Sequence, residues 1–518
     1  MDLFETIIGL LLAAALLSAL AERIAVPYPA LLALAGTAIA FIPGVPAVAP
    51  DPALALALFV APVLLDAAYD ASPRDLRDNV VPVATLALVA VGLTVAAVAV
   101  VARWCVPGMP WAAAVALGAI VAPPDASAAT AVLRGLRPPH RLLVILEGES
   151  LFNDASALLV YRLAVAAAVT GSFSFAEAAP MLLVTTGGGA VLGWAAARGY
   201  LAAAPRLFPD GAISVLVQFL GTFGIWLLAE ALHLSAIITV VVYGMTLGRH
   251  APRRSAARHR IGSYAVWEVA VFVLNATAFL LIGLQMRAIV GRLDGEWEGV
   301  ALLALGTGAA VVLTRVAWVL TYGAAYRGVV RRRGARMLRG HRLAGPTLAG
   351  AAVLSWSGMR GVVTLATALA LPEGFPQRDA IVFAAVCVVL LTLGLQGMTL
   401  GPLLRWLDLR DDGVLEGEVG TARERSAAAA VRALGRAPAS EVRDALLRDW
   451  EARVAYGRHA IADMPDDAAR LRAGAVGAAR DALLSLRSSG EIGDDAFHVV
   501  EEELDLLEVG AEARVRPG

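Results

Sequence analysis

The sequence predicts an all-α integral membrane fold of about thirteen transmembrane helices, on three observations. The 518 residues are 58% hydrophobic and only 17% charged, with a mean hydropathy of +0.70. Soluble domains carry about a quarter charged residues. Long, almost uncharged runs recur, each near the roughly 20 residues that a helix needs to cross a bilayer core. Arginine then alternates between successive connecting loops, as it does when loops lie on opposite sides of a membrane.

Breaking the chain at Pro, Gly and charged positions leaves thirteen segments: 3–21, 28–43, 52–69, 79–103, 111–135, 140–168, 179–203, 212–231, 235–248, 264–290, 299–325, 346–371 and 379–404. The second and ninth are short, so twelve and fourteen are the neighbouring counts. The loops after odd-numbered segments, from 1–2 to 11–12, hold 20 arginines, and the alternate loops hold 4. The densest loops run Arg249 to Arg260 and Arg327 to Arg342. An incorrect count would scramble that alternation. The N-terminus is therefore expected outside and the C-terminus in the cytoplasm of a cell-membrane protein. Asp2 and Glu5 stand where a cleaved signal would be positive, so segment 1 is expected to be retained.

Two domains are expected, a transmembrane one over 1–408 and a cytoplasmic helical tail over 409–518. Apolar residues at helical spacing recur in the tail, notably over 481–510, where a Gly-containing turn separates two short helices. The tail reads as a soluble appendage or as a regulatory or dimer-contact module. The net charge of −1 gives no support to nucleic-acid binding. Cys105 and Cys387 lie far apart in apolar surroundings, and the seven histidines are scattered. No disulfide framework, fixed metal site or cofactor is expected. All 43 basic residues are arginine, and there is no lysine.

Two segments look broken. In segment 5, Pro123 and Pro124 remove backbone donors at mid-depth and Asp125 follows them. Segment 12 carries Gly358, Arg360 and Gly361 at its centre. Proline beside a carboxylate suggests an unwound stretch lining a cavity, because bare backbone is tolerated in a membrane only there. Seven helices separate the two breaks. That offset suits two inverted six-helix repeats, segments 1–6 and 8–13, with the broken helices crossing at an ion site.

Segment 6 holds the densest polar cluster, Glu149, Ser150, Asn153 and Asp154 within "ILEGESLFNDASALLVY". Ser150 and Asp154 share one face at i,i+4, while Glu149 and Asn153 share the adjoining stripe. Asp154 lies about 21 Å along the helix from His140, near the midplane. A charged Asp there costs on the order of 2.5–3.5 kcal/mol on insertion scales, so it needs a partner, a proton or an ion. A buried polar network is the bland reading. Carboxylate, hydroxyl and amide oxygens together are the ligands of a hard cation, which favours an ion site. Glu149 and Arg360 form the expected neutralising pair across the bundle. Arg162, Glu268 and Arg315 read as packing, snorkelling or local ion-pair charges. Asp66, near the end of segment 3, is a further candidate ligand or a snorkelling carboxylate.

These residues resemble the monovalent cation–proton antiporters of the NhaP and sodium–proton exchanger group. The resemblance rests on "PYPALLALAGTAIAFIPGVP", "APPDASAATAVLRGL", "LEGESLFNDASALLVYRLAVAA", "VVVYGMTLGRH", "WEVAVFVLNATAFLLIGLQM" and "LSWSGMRGVVTLATALALP", which occur in the family's order and span about residues 1–408. It implies a bacterial-type transporter, not an enzyme, that exchanges Na+ or another monovalent cation for H+ by alternating access, with a role in pH homeostasis. It further implies that Asp154 binds cation and proton in turn, with Asn153 beside it and Ser150 and Asp66 as further ligands. A Glu149–Arg360 pair, a homodimer, and a six-helix core moving against a dimerisation domain are also implied. Many members carry Thr-Asp-Pro in segment 5; this chain has Pro124, Asp125 and Ala126, which keeps the aspartate and lacks the threonine.

Oxygen ligands serve sodium, potassium and lithium alike, so a K+/H+ antiporter is the nearest alternative. A cation channel would want a continuous pore. An intramembrane aspartyl protease using Asp70 would want a Gly-x-Gly-Asp partner, which the chain lacks. If Asp154 alone titrates, its acid form and its cation-bound carboxylate carry the same charge, and exchange is electroneutral. Related electrogenic antiporters are expected to use a lysine beside an Asp-Asp pair; here the pair is Asn153-Asp154, with no lysine in the chain. Arg360 cannot take that role, because arginine stays protonated.

Overall fold

Among the described residues of the computed structural model, every regular element is helical. Those residues are 2–24, 26–43, 52–133, 138–171, 175–208, 211–251, 257–293, 297–333, 347–409, 411, 413–457 and five between 478 and 485. They fall into two compact units, 1–410 and 411–518.

The first unit opens with α1 (Asp2–Arg23) and α2 (Tyr28–Ala40). α3 (Pro52–Ala55), a π-helical turn (Leu56–Val60) and α4 (Ala61–Asp70) continue as one helix. A short α5 (Pro73–Asp78), which the apolar runs did not predict, starts where the Ser72 hydroxyl accepts from the Asp75 N–H at 3.2 Å. α6 (Val80–Ala84), a second π-helical turn (Thr85–Ala90) and α7 (Val91–Cys105) form the next long helix.

Segment 5 is broken into α8 (Trp111–Val121) and α9 (Ala126–Leu133) around Pro123 and Pro124. α10 (His140–Thr170) is unbroken and stops at Gly171, whose φ of +72° suits glycine. α11 (Phe175–Leu207), α12 (Gly211–Ala231) and α13 (Ala236–His250) follow. The tenth segment becomes α14 (Ala257–Leu284) and the short α15 (Met286–Val290), interrupted at Gln285. α16 (Trp297–Arg333) runs past its predicted end near 325, since arginine is a good helix former once outside the apolar core.

Segment 12 is broken as well, into α17 (Leu348–Trp356) and α18 (Val362–Leu369). α19 (Arg378–Thr392), a π-helical turn (Leu393–Gly397) and α20 (Met398–Trp406) complete the unit. Among the described residues, eight stretches are long and apolar enough to cross a membrane, and Tyr28–Ala40 is a shorter apolar helix. The chain is a multi-pass membrane protein.

Helices in lipid gain little from apolar contact alone and pack closest where small residues admit the neighbouring backbone. A Cβ at Gly36 of α2 would strike the Leu280 carbonyl of α14, and one at Gly283 would strike the Ala33 carbonyl in return. Gly248 of α13 meets the Tyr69 backbone of α4 in the same way. These contacts join α2 to α14 and α4 to α13, and α2 and α14 in turn pack on α9 and α18 of the broken helices. In the second unit, α21 (Val414–Gly435) and α22 (Glu441–Gly457) pack on each other. The helix pair expected over 481–510 lies outside the described residues apart from Asp481, Ala482 and Ser485.

Candidate functional site

The two breaks meet. The Asp125 N–H donates to the Met359 carbonyl at 2.7 Å, tying one unwound stretch to the other. The Asp125 carboxylate sits at two helix N-termini: it accepts from the backbone of Ser127 and Ala128 in α9 and of Val362 in α18. The Ser127 N–H and hydroxyl reach it at 2.8 and 2.6 Å. Free N–H groups and the helix dipole both favour a negative group there. Glycine at 361 is required for this seat, because a Cβ on it would land on the Asp125 carboxylate.

The opposite helix ends are met by Arg360, which is 1% exposed. Its Nε and Nη2 donate to the carbonyls of Val121 and Ala122, at 2.9 and 3.0 Å, at the end of α8. Its Nη1 donates to the Gly358 carbonyl just beyond α17. Breaking two apolar helices near their middles exposes carbonyls on one side and amides on the other. One arginine satisfies the first set and one aspartate the second.

This corrects the expected Glu149–Arg360 pair. Glu149, 1% exposed, is held by Arg315 of α16: Nη1 bonds Oε1, and Nη2 bonds Oε2 at 2.8 Å. The Arg315 Nε donates to the Leu354 carbonyl at 3.1 Å. The physical reason is donor economy, since the Arg360 guanidinium is committed to unwound backbone while Arg315 presents a free fork. A Cβ at Gly358 would collide with Arg315, so glycine lets the two arginines pass.

Asp154, Ser150, Asp125 and Asp66 line one cavity of about 330 Å3. Its remaining walls include Tyr28, Phe59, Pro124, Phe272, Asn275 and Thr364. Three further carboxylates line it, Asp70, Glu147 and Glu268, and among the described residues no Arg or His does. Of the sequence-derived candidates, Asn153 is set back from the cavity. Its Nδ2 contacts the Pro124 carbonyl at 3.4 Å, and its Oδ1 is buried without a partner. Asp154 is 5% exposed and takes no hydrogen bond or ion pair among the described residues. A buried carboxylate in that state has its oxygens available to a cation or a proton.

Glu147 precedes Ser150 by three residues and Asp154 by seven, so helical spacing already placed it on their stripe. Glu268 is the one of the three loosely placed charges that faces the cavity. Asp70 ends α4 one turn beyond Asp66.

Residues 10–406 match the family model described as sodium/hydrogen exchanger, transmembrane. An uncharacterized Na(+)/H(+) exchanger of Mycobacterium tuberculosis H37Rv is 31% identical over 97% of this chain and 95% of that one. A sodium, potassium, lithium and rubidium/H(+) antiporter of Bacillus pumilus is 30% identical over 73% of this chain and 58% of that protein. The sodium proton antiporter MjNhaP1 of Methanocaldococcus jannaschii shares the fold, with a TM-score of 0.60 at 19% identity over 79% of this chain and 99% of that one. With its two broken helices and its carboxylate-lined cavity, this chain belongs to the sodium/hydrogen exchanger family.

Proposed function

We propose that the chain exchanges a monovalent cation, sodium foremost, for a proton by alternating access, with Asp154 as the carrier. The observation that carries this reading is the contrast at Asp154: a nearly buried carboxylate without a partner among the described residues, in a cavity that five other described carboxylates line and no described Arg or His does. Asp154, Ser150 and Asp66 would ligate the cation, with Asp125 held nearby as a fixed negative charge. When the cation leaves, Asp154 takes a proton. Both loaded states carry the same charge, so exchange is electroneutral, one for one. Arg315 is tied to Glu149, and Arg360 to the backbone carbonyls of the two breaks.

The topology belongs to the same proposal: thirteen spans, two inverted repeats, an outside N-terminus, a cytoplasmic helical tail that is an appendage or a regulatory module, and a homodimer. The arginine pattern supports the orientation and a cavity open to the cytoplasmic side, since Asp70, Ala131 and Glu147 line it from the arginine-rich ends of their helices. A potassium-transporting variant of this reading is favoured by the Bacillus pumilus relative, whose name includes sodium, potassium, lithium and rubidium.

Proteoliposomes with an internal pH dye test the proposal. An imposed Na+ gradient should drive protons the opposite way, and Li+, K+ and Rb+ in turn rank the cations. Cation flux without proton counterflow would make the protein a channel, and no coupled flux with any alkali cation would overturn the reading.

A further inference from the structure

A larger cavity, of about 1170 Å3, lies apart from the ion site. One wall is α5 and the helix from Val80 to Leu88 with the Phe152–Ala166 stretch of α10, and the other is α11 with α13 and the Glu230 end of α12. α10 and α11 follow one another in the chain, yet this crevice stands between them. The walls are mostly apolar and largely uncovered by protein; Leu88 and Met181 are each 62% exposed. Within a bilayer, apolar walls of this kind are wetted by acyl chains and not by water.

Arg162, Arg77, Glu230 and His233 interrupt that apolar lining, and Arg162 stands on α10 among leucines. It sits eight residues before the end of α10, about 12 Å along the helix. Its side chain is exposed to the crevice and makes no hydrogen bond or ion pair among the described residues. Glu230, on the facing wall, is not bonded to it. A guanidinium there, flanked by Leu158, Leu159 and Leu163, needs an anion within reach. Its planar fork matches a phosphate, and an arginine this near a helix end sits where headgroups begin.

We propose that this crevice is a phospholipid site, with the lipid phosphate on Arg162 and an acyl chain running between α10 and α11 toward Leu88. The site rests on the chain's membrane character and not on the exchange reaction. A lipid so seated packs against the helix that carries Asp154, on the side away from the ion cavity.

The test uses the full chain in mild detergent, with added phosphatidylglycerol followed by native mass spectrometry and thermal melting. Wild type should retain phospholipid and melt higher when it is added. Arg162→Gln should retain about tenfold less, the worth of one charge-assisted contact. Leu159→Trp, which narrows the crevice and leaves Arg162 in place, should also lose the lipid. Glu230→Gln should keep it. Inorganic phosphate alone should not raise the melting temperature. Equal retention by wild type and Arg162→Gln would overturn the headgroup assignment. Full retention by Leu159→Trp would move the lipid elsewhere, and stabilisation by phosphate alone would make this an anion site without a lipid. If Arg162→Gln fails to fold, the Leu159→Trp and phosphate arms decide the proposal independently.

Discussion

Two faces of α10 carry carboxylates five residues apart and treat them in opposite ways. Glu149 points into the bundle, where Arg315 grips both its oxygens. Asp154 points into the cavity and has no hydrogen-bond or ion-pair partner among the described residues. At 100° per residue, the stripe of Glu147, Ser150 and Asp154 and the stripe of Glu149 and Asn153 diverge by about a third of a turn. That rotation separates a carboxylate that holds the fold from one free to change its occupant. Sequence proximity is therefore no guide to role here; the facing helix decides it.

Reversing the two roles gives the largest expected effects. Asp154→Asn should abolish exchange while the protein inserts and melts like wild type, since asparagine keeps the shape but carries neither proton nor charge. Wild-type exchange in that variant, read by dye-loaded proteoliposomes, would transfer the role to Asp125. Glu149→Gln should instead destabilise the protein by about 3–5 kcal/mol, the usual cost of stranding one partner of a buried pair. Arg315→Gln should match it, and the double variant should cost less than the sum of the two. Additive losses in thermal melts would remove the pairing.

Gly361→Ala comes next. Its methyl would displace the Asp125 carboxylate from the N-termini of α9 and α18, so exchange should fall by an order of magnitude or more, the scale set by misplacing a functional group by about 1 Å. An unchanged apparent KM and rate would mean that Asp125 need not sit there. The smallest effect belongs to Asp75, far from the cavity. Burial pushes its carboxyl up, but the Ser72 hydroxyl, Arg74 and His140 outweigh this and hold it below the usual 3.8. A lowered carboxyl contributes stability above its ordinary value and loses it as pH falls through the lowered one. Asp75→Asn should thus cost under about 1 kcal/mol at neutral pH, and its melting difference from wild type should vanish in acid below 3.8. A difference that persists there would assign the effect to packing.

Much of this arrangement was legible in the residues. Pro123-Pro124 and Gly358 to Gly361 marked both breaks, because missing donors and missing side chains unwind a helix wherever it lies. The i,i+4 spacing separated the two stripes of α10. The partner of Glu149 was not legible. Arg315 stands alone in an apolar helix with no motif around it, whereas Arg360 sits inside one, and depth along a helix does not say which way a guanidinium turns. The carbonyls that claim Arg360 exist only once α8 and α17 have ended, so its role depends on tertiary geometry. Glu147 could have been found by spacing alone. Glu268 could not, since its face is set by how α14 packs on α2.

The central claim is that one carboxylate, Asp154, alternates between proton and cation. Titrating Na+ into the purified protein in weakly buffered solution, with a pH indicator present, measures it directly. Wild type should release one proton for each cation bound, and Asp154→Asn should release none while Arg162→Gln behaves as wild type. Proton release that survives in Asp154→Asn, or cation binding by wild type without any proton release, would contradict the account.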